Sequence, residues 1–158
     1  MPRRHAARKC TATMDADAVF LDTNVLLYAS RPAAPHYSTA RAKLQALDLA
    51  GQPMWISTQV LREYFAVATR QQAAHGAIDA AAALRDIQGF EARFEVAQET
   101  PAVFRRLIGL LASVPIGGRQ VHDANIVATM LKNGVSRLAT FNVRDFQRFT
   151  PAIQLDEF

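Results

Sequence analysis

Apolar residues along the chain occur in two alternating patterns: short unbroken runs, and longer stretches in which they recur every three or four positions. Ala18 to Leu21, Met54 to Ser57, Phe94 to Ala97, Arg137 to Phe141 and Ala152 to Leu155 are runs of the first kind, the length and composition of strands buried on both faces. Helical spacing fills the intervals. A short helix follows the first strand, and His36 to Leu49 reads as a second, ended by Gly51 and Pro53. Ser57 or Thr58 caps a third from Gln59 to about Gln72, and Ile78 to Ile87 is an alanine-rich fourth ending near Gly89. Thr100 and Pro101 suit the cap and first position of a helix to Ser113, whose apolar face is Leu107, Ile108, Leu110 and Leu111 and which Pro115 stops. A last helix runs from about Val121 to Lys132 and closes at Asn133-Gly134. Strand and helix in alternation predict an α/β fold with helices packed on a mostly parallel sheet of four to five strands.

Composition narrows this to one domain. The 158 residues, half of them hydrophobic, are enough for a full core. Cys10 is the only cysteine, which excludes an internal disulfide and a cysteine-built zinc site. No apolar run approaches the roughly 20 residues that span a bilayer, and Met1 to Met14 lacks the apolar centre of a secretory signal. The expectation is a cytoplasmic protein without membrane contact. The net charge of +4 is not spread evenly, because Arg3, Arg4, Arg8 and Lys9 supply four of the eighteen basic residues and leave fourteen against fourteen acids. Residues 1–13 therefore read as a basic, disordered tail, with Met14 a candidate natural start, and residues 14–158 as a neutral folded domain.

Chemistry enters with three acids in apolar surroundings. Asp22 lies at the carboxyl end of the first strand, where open α/β sheets gather their functional groups, and Thr23 and Asn24 after it suit a helix start. Glu63 has Val60, Tyr64 and Val67 at −3, +1 and +4, which turns its carboxylate toward the buried side of its helix. Asp123 shares the stripe of Ile126, Val127 and Met130 and sits in a first turn. Taken singly, each has an ordinary explanation: a cap for Asp22, an ion pair with Arg62 or another arginine for Glu63, the helix dipole for Asp123. If they converge, they must bind a cation or take up protons, and an all-oxygen set favours Mg²⁺ or Mn²⁺ over zinc.

The segments Phe20-Leu21-Asp22-Thr23-Asn24-Val25-Leu26, Glu63, Arg119-Gln120-Val121-His122-Asp123-Ala124 and Thr140-Phe141-Asn142-Val143-Arg144-Asp145-Phe146 resemble the four signature regions of PIN-domain ribonucleases, closest to VapC-type toxins of bacterial toxin–antitoxin modules. The resemblance spans about Val19 to Leu155. It implies a three-layer α/β/α sandwich, Mg²⁺- or Mn²⁺-dependent endonuclease activity on RNA that inhibits growth or translation, and a homodimer. It also implies a VapB-like antitoxin whose C-terminal segment occupies the active-site groove. Asp22, Glu63 and Asp123 match the family's acidic triad. The fourth site departs from the simplest pattern: Asn142 stands where many members have an acid, and Asp145, three residues on, is the alternative. On this reading Asp22, Asp123 and Asp145 hold the metal and Glu63 positions or deprotonates the attacking water, reaching the metal through water. Asn24, Thr140 and Asn142 support them. Arg119 and Arg144 are candidate contacts to RNA phosphates.

Other residues have plainer readings. His122 projects about 100° from Asp123 around its helix, which suggests a surface role, and His36 and His75 read as exposed. Trp55, Tyr64 and Phe65 read as core, while Tyr37 and Leu44, with the Val60 to Phe65 stripe, are candidates for the antitoxin groove. Two other functions fit parts of the pattern. An aspartyl-phosphate phosphohydrolase also places its nucleophile after a strand, but here its second acid is Asn24, and Lys43 and Lys132 sit in helical stretches with no matching motif. A non-catalytic scaffold of the same fold, binding RNA or protein, would require a broken acid set.

Overall fold

A computed structural model of the chain describes residues 17–70, 76–156 and 158. The basic tail with Cys10, Met14, His75 and the expected end of the third helix at Gln72 lie outside the described residues.

Strand β1 (Val19–Leu21) leads into α1 (Thr23–Ser30) and α2 (Tyr37–Leu49); β2 (Met54–Ser57) leads into α3 (Thr58–Ala68) and α4 (Ala80–Arg93). Strand β3 (Glu95–Ala97) precedes α5 (Pro101–Ser113) and α6 (Gln120–Lys132), and β4 (Arg137–Ala139) precedes the short α7 (Val143–Phe146), a 3₁₀ turn (Gln147–Phe149) and β5 (Gln154–Asp156). All strand pairs are parallel, in the order β3-β2-β1-β4-β5. Val19, Phe20 and Leu21 point alternately to opposite faces yet all are fully buried, so β1 is covered on both sides. The helices supply that cover. One group is α1 to α4, packed in succession through α1 against α2 and α3 and α3 against α4; the other is α5 against α6 and α6 against α7.

This strand order positions the site. From β1 the chain builds outward through β2 and β3, then returns to the other side of β1 to lay down β4 and β5. The crevice between β1 and β4 is therefore the topological switch point, and the residues just past their carboxyl ends, Asp22 and Thr140, open into it. A backbone bond from the Asp22 N–H to the Ala139 carbonyl, 3.0 Å, extends the β1–β4 pairing to the acid itself.

Most local signals act as the sequence implies. Ser57 caps α3 by accepting the Val60 N–H at 3.2 Å, and Thr100 caps α5 with Pro101 at its first position. Gly51 and Gly134 follow α2 and α6 with φ of 67° and 76°, conformations a side chain resists. Two expectations need correction. The fourth helix starts at the Asp79 cap and passes through Gly89 to Arg93, because Phe90 packs edge-on against Tyr64 at 5.0 Å and holds the last turn. That contact outweighs a glycine cost of about 1 kcal/mol. The run Arg137 to Phe141 stops pairing at Ala139, where Thr140 and Phe141 turn toward α1 to make side-chain bonds.

Candidate active site

Asp22 is itself the N-cap of α1, the ordinary role open to it in the sequence, and Thr23 and Asn24 are the first two residues of the helix. Only 6% exposed, its carboxylate accepts three hydrogen bonds: Oδ1 from the Thr23 N–H at 2.7 Å, and Oδ2 from Asn24 Nδ2 and from Thr140 Oγ1, each at 2.7 Å. Thr140 Oγ1 in turn accepts Asn24 Nδ2 at 3.2 Å and the Asn142 N–H at 2.9 Å, while Asn24 Oδ1 accepts the Phe141 N–H at 3.2 Å. The start of α1 is thus bonded to the exit of β4 through the side chains of Asn24 and Thr140. With two donors on Oδ2, the carboxylate keeps a free lone pair only on Oδ1.

Glu63 reaches the same place from α3. Its Oε2 accepts Thr23 Oγ1 at 2.9 Å and its Oε1 accepts Gln59 Nε2 at 2.7 Å. Arg62 is not its partner, since that guanidinium pairs with Glu99 at 2.9 Å. Asp123, in the first turn of α6, is half-buried and comes to the same place.

The electrostatics register the convergence. Burial foremost pushes Asp22 up to about 6, with repulsion from Glu63 and Asp123 adding to it and the hydrogen bonds from Thr140 and Thr23 opposing it. Burial likewise raises Asp123 to about 6, helped by the charges of Asp145 and Glu63 and opposed by Arg148 and His122. Asp22, Glu63 and Asp123 therefore act on one another, and Asp145 on α7 acts on Asp123. Asp22, Glu63 and Asp123 line a cleft of about 420 Å³.

The fourth position divides between its two candidates. Asn142 caps α7 and lines the cleft, whereas Asp145 is exposed in the first turn of α7 and is the strongest charge acting on Asp123. Arg119 and Arg144 are exposed and do not line the cleft. Arg70, at the end of α3, and His122 do, and Arg148 is the cation that most favours the Asp123 carboxylate. His122 thus lines the site in spite of its angle from Asp123. Arg70 and Arg148 carry no local signal in the sequence, and their place depends on how α3 and α7 end.

Gln59 and Asn125 were also not legible as site residues. Gln59 is 4% exposed, one turn before Glu63, and donates to it; Asn125 donates to Gln59 Oε1 at 2.7 Å. The spacing of four from Gln59 to Glu63 places both on one helical face, and that is the one signal that pointed to it.

A hard divalent ion fits this donor set. Among the described residues no three His, Cys, Asp or Glu side chains close on one point. Mg²⁺ does not need such a cage, since it retains water and takes one or two carboxylates together with phosphate oxygens. Asp22 Oδ1 offers a free lone pair into a cleft whose other carboxylates are raised or repelled by like charge, a cost a cation removes.

Elsewhere, Tyr37 and Leu44 line a cavity of about 650 Å³ between α2 and α4, together with Arg41, Asp48, Asp86 and Arg93. Val60 and Tyr64 are fully buried and so belong to the core, not to a groove. The Tyr64 hydroxyl bonds Asp86 at 2.6 Å and Ser30 at 3.0 Å, and burial pushes it up to about 12. Trp55 and Phe65 are half-buried, Trp55 against the core and Phe65 on the α3–α4 face, and His36 is exposed but stacked on Phe141 at 4.8 Å.

The PIN domain family matches residues 19–150. A comparison with curated proteins gives no match. Among solved structures, the fold is similar to VapBC2 from Rickettsia felis bound to a DNA fragment from its promoter, at TM-score 0.68 and 20% identity over 89% of this chain and 98% of that one. VapBC-1 from nontypeable Haemophilus influenzae aligns at TM-score 0.63 and 21% identity over 89% and 97% of the two chains. VapC20 of Mycobacterium tuberculosis, a sarcin–ricin loop cleaving toxin, aligns at 0.58 and 19% over 77% and 87%.

Proposed function

Because the chain belongs to the PIN-domain family, we propose that it is an endoribonuclease dependent on Mg²⁺ or Mn²⁺, and the toxin of a toxin–antitoxin pair. The observation that carries this reading is the convergence of Asp22, Glu63 and Asp123 on one cleft at the switch point of the sheet, with Asp145 acting on Asp123 from outside. Asp22, Asp123 and Asp145 would hold the ion, directly or through water. When bound, the ion supplies positive charge to the phosphate oxygens and lowers the pKa of a water molecule.

The protein's own groups do the rest. Glu63, fixed on both oxygens by Thr23 and Gln59, keeps outward lone pairs with which to orient a water and take its proton. Attack of that water oxygen on phosphorus with departure of O3′ leaves a 5′-phosphate and, once O3′ is protonated, a 3′-hydroxyl. The RNA 2′-hydroxyl takes no part. Arg70, which lines the cleft, and Arg148, which acts on Asp123, are better placed than Arg119 and Arg144 to receive the phosphates flanking the cut.

Similarity to the VapBC complexes supports a VapB-like antitoxin as partner; a homodimer as the working form is part of the same proposal and rests on the resemblance of the sequence motifs. Among the described residues no helix is long and apolar enough to cross a membrane. Action on cytoplasmic RNA is part of the same proposal. Mapping RNA 5′ ends after induction of the wild type and of Asp22→Asn tests activity and target together. Discrete new ends, absent with the variant, are expected. Equal cleavage by both would overturn the assignment.

A further inference from the structure

Gln59 is a buried amide all of whose hydrogen-bonding groups are used. Its Nε2 donates to Glu63 Oε1 at 2.7 Å and to the His122 carbonyl at 3.0 Å, and its Oε1 accepts Asn125 Nδ2 at 2.7 Å. Asn125 Nδ2 donates also to Glu99 Oε1 at 2.9 Å, and Glu99 Oε2 accepts Arg62 Nη2 at 2.9 Å.

The direction of this chain is fixed at its ends. Arg62 can only donate and ionised Glu99 can only accept, so Asn125 must present its NH₂ to Glu99 and, with its other hydrogen, to Gln59. Gln59 must then turn its oxygen to Asn125 and its NH₂ to Glu63. Turned over, it would set an oxygen against the Glu63 carboxylate and the His122 carbonyl, and an NH₂ against another NH₂. Only one orientation satisfies every group. In that orientation Gln59 holds Glu63 against the pull of its other partner, Thr23 Oγ1 at 2.9 Å, and pins the first turn of α6 that carries Asp123.

We propose that Gln59 is the positioning residue of Glu63, and that Asn125 keeps Gln59 in the one amide orientation able to do this. The contact stands on the geometry above, and its role in catalysis rests on the nuclease reading. A group that works through Glu63 has nothing to add once Glu63 is disabled, whereas one that only supports the fold loses the same factor in either background.

The test is a double-mutant cycle of wild type, Gln59→Leu, Glu63→Ala and the double variant, measured for RNA cleavage in Mg²⁺ and for urea unfolding; alanine is used because a glutamine at 63 would still accept the Gln59 amide. Gln59→Leu should lower kcat by roughly 10- to 100-fold with KM within about threefold, and should cost nothing further in the Glu63→Ala background. The urea midpoints should be non-additive in the same way. Asn125→Leu, at a half-buried position, is a second route to the same result should Gln59→Leu not fold.

Additive losses in cleavage overturn the proposal, and so do additive urea midpoints, because the contact then does not couple the two residues. If wild type cleaves no RNA while the urea cycle is coupled, the nuclease reading fails and the Gln59–Glu63 contact stands.

Discussion

Asp22 holds a charge where water does not reach, and its three hydrogen-bond donors only partly offset that. Its raised value of about 6, shared with Asp123, sets a sign. In the metal-free protein the folded state keeps both protons to higher pH than the unfolded chain. The stabilisation this gives is complete below about pH 4 and is lost as pH rises through about 6. A divalent ion, if it is held as proposed, would bind the carboxylates that appear over the same range. The rise in melting temperature on adding millimolar Mg²⁺ or Mn²⁺ should therefore be larger at pH 7.5 than at pH 5, as read by thermal melts against EDTA controls. No shift at either pH would count against a metal site.

Asp22→Asn should lower cleavage by roughly 100-fold or more. Its effect on stability is a balance: it removes the buried charge, but an amide cannot accept from Thr23, Asn24 and Thr140 together, so one N–H must face another donor. Thr140→Val is the cleaner probe of this knot. It keeps the shape while removing a fully buried hydroxyl that donates to Asp22 and accepts from Asn24 and Asn142, and should cost about 1–3 kcal/mol in urea unfolding. Thr140→Ser should recover most of that loss.

At the scale of elements, the three aspartates are held by the ends of helices and strands, whereas Glu63 projects from the middle of α3. Asp22 caps α1, Asp123 lies in the first turn of α6, and Asp145 in the first turn of α7. The partial positive charge of a helix N-terminus favours each of these carboxylates where burial and like charge oppose it. The angle of α6 is set by its neighbours α5 and α7 and by the turn at Gly134. Gly134 has φ 76° with no atom within 4 Å of a Cβ placed there, so Gly134→Ala meets a backbone cost alone. It should destabilise by about 1 kcal/mol, seen as a lower urea midpoint, with cleavage at 25 °C little changed.

For the whole molecule, the order of strands decides where chemistry is possible. Placing β1 between β2 and β4 brings Asp22 beside Thr140, 118 positions away in sequence, and leaves the crevice at the switch point for α3, α6 and α7 to wall in. Residues 14–158 are neutral in balance, so on the proposed function phosphate binding would have to come from arginines at the cleft and from a bound cation, not from an overall basic field. Deleting residues 1–13 should accordingly leave cleavage within about tenfold of the full chain at physiological salt; a greater loss would make the basic arm part of the RNA site.

The sequence by itself determined the class of fold, the helix caps at Ser57 and Thr100, the glycine stops at Gly51 and Gly134, and the three acids that sit against the apolar pattern. These follow from local periodicity and from the energy of burying a charge, and both can be read within a few residues. Tertiary structure alone decided that Asn142 lines the cleft while Asp145 acts on Asp123 from outside, and that α4 runs on through Gly89. It alone brought Gln59 to Asn125, and Asn24 to Thr140 and Phe141. Those contacts join positions far apart in the chain, and a hydrogen bond of 2.7 Å between Gln59 and Asn125 leaves no mark in the spacing of residues on either side.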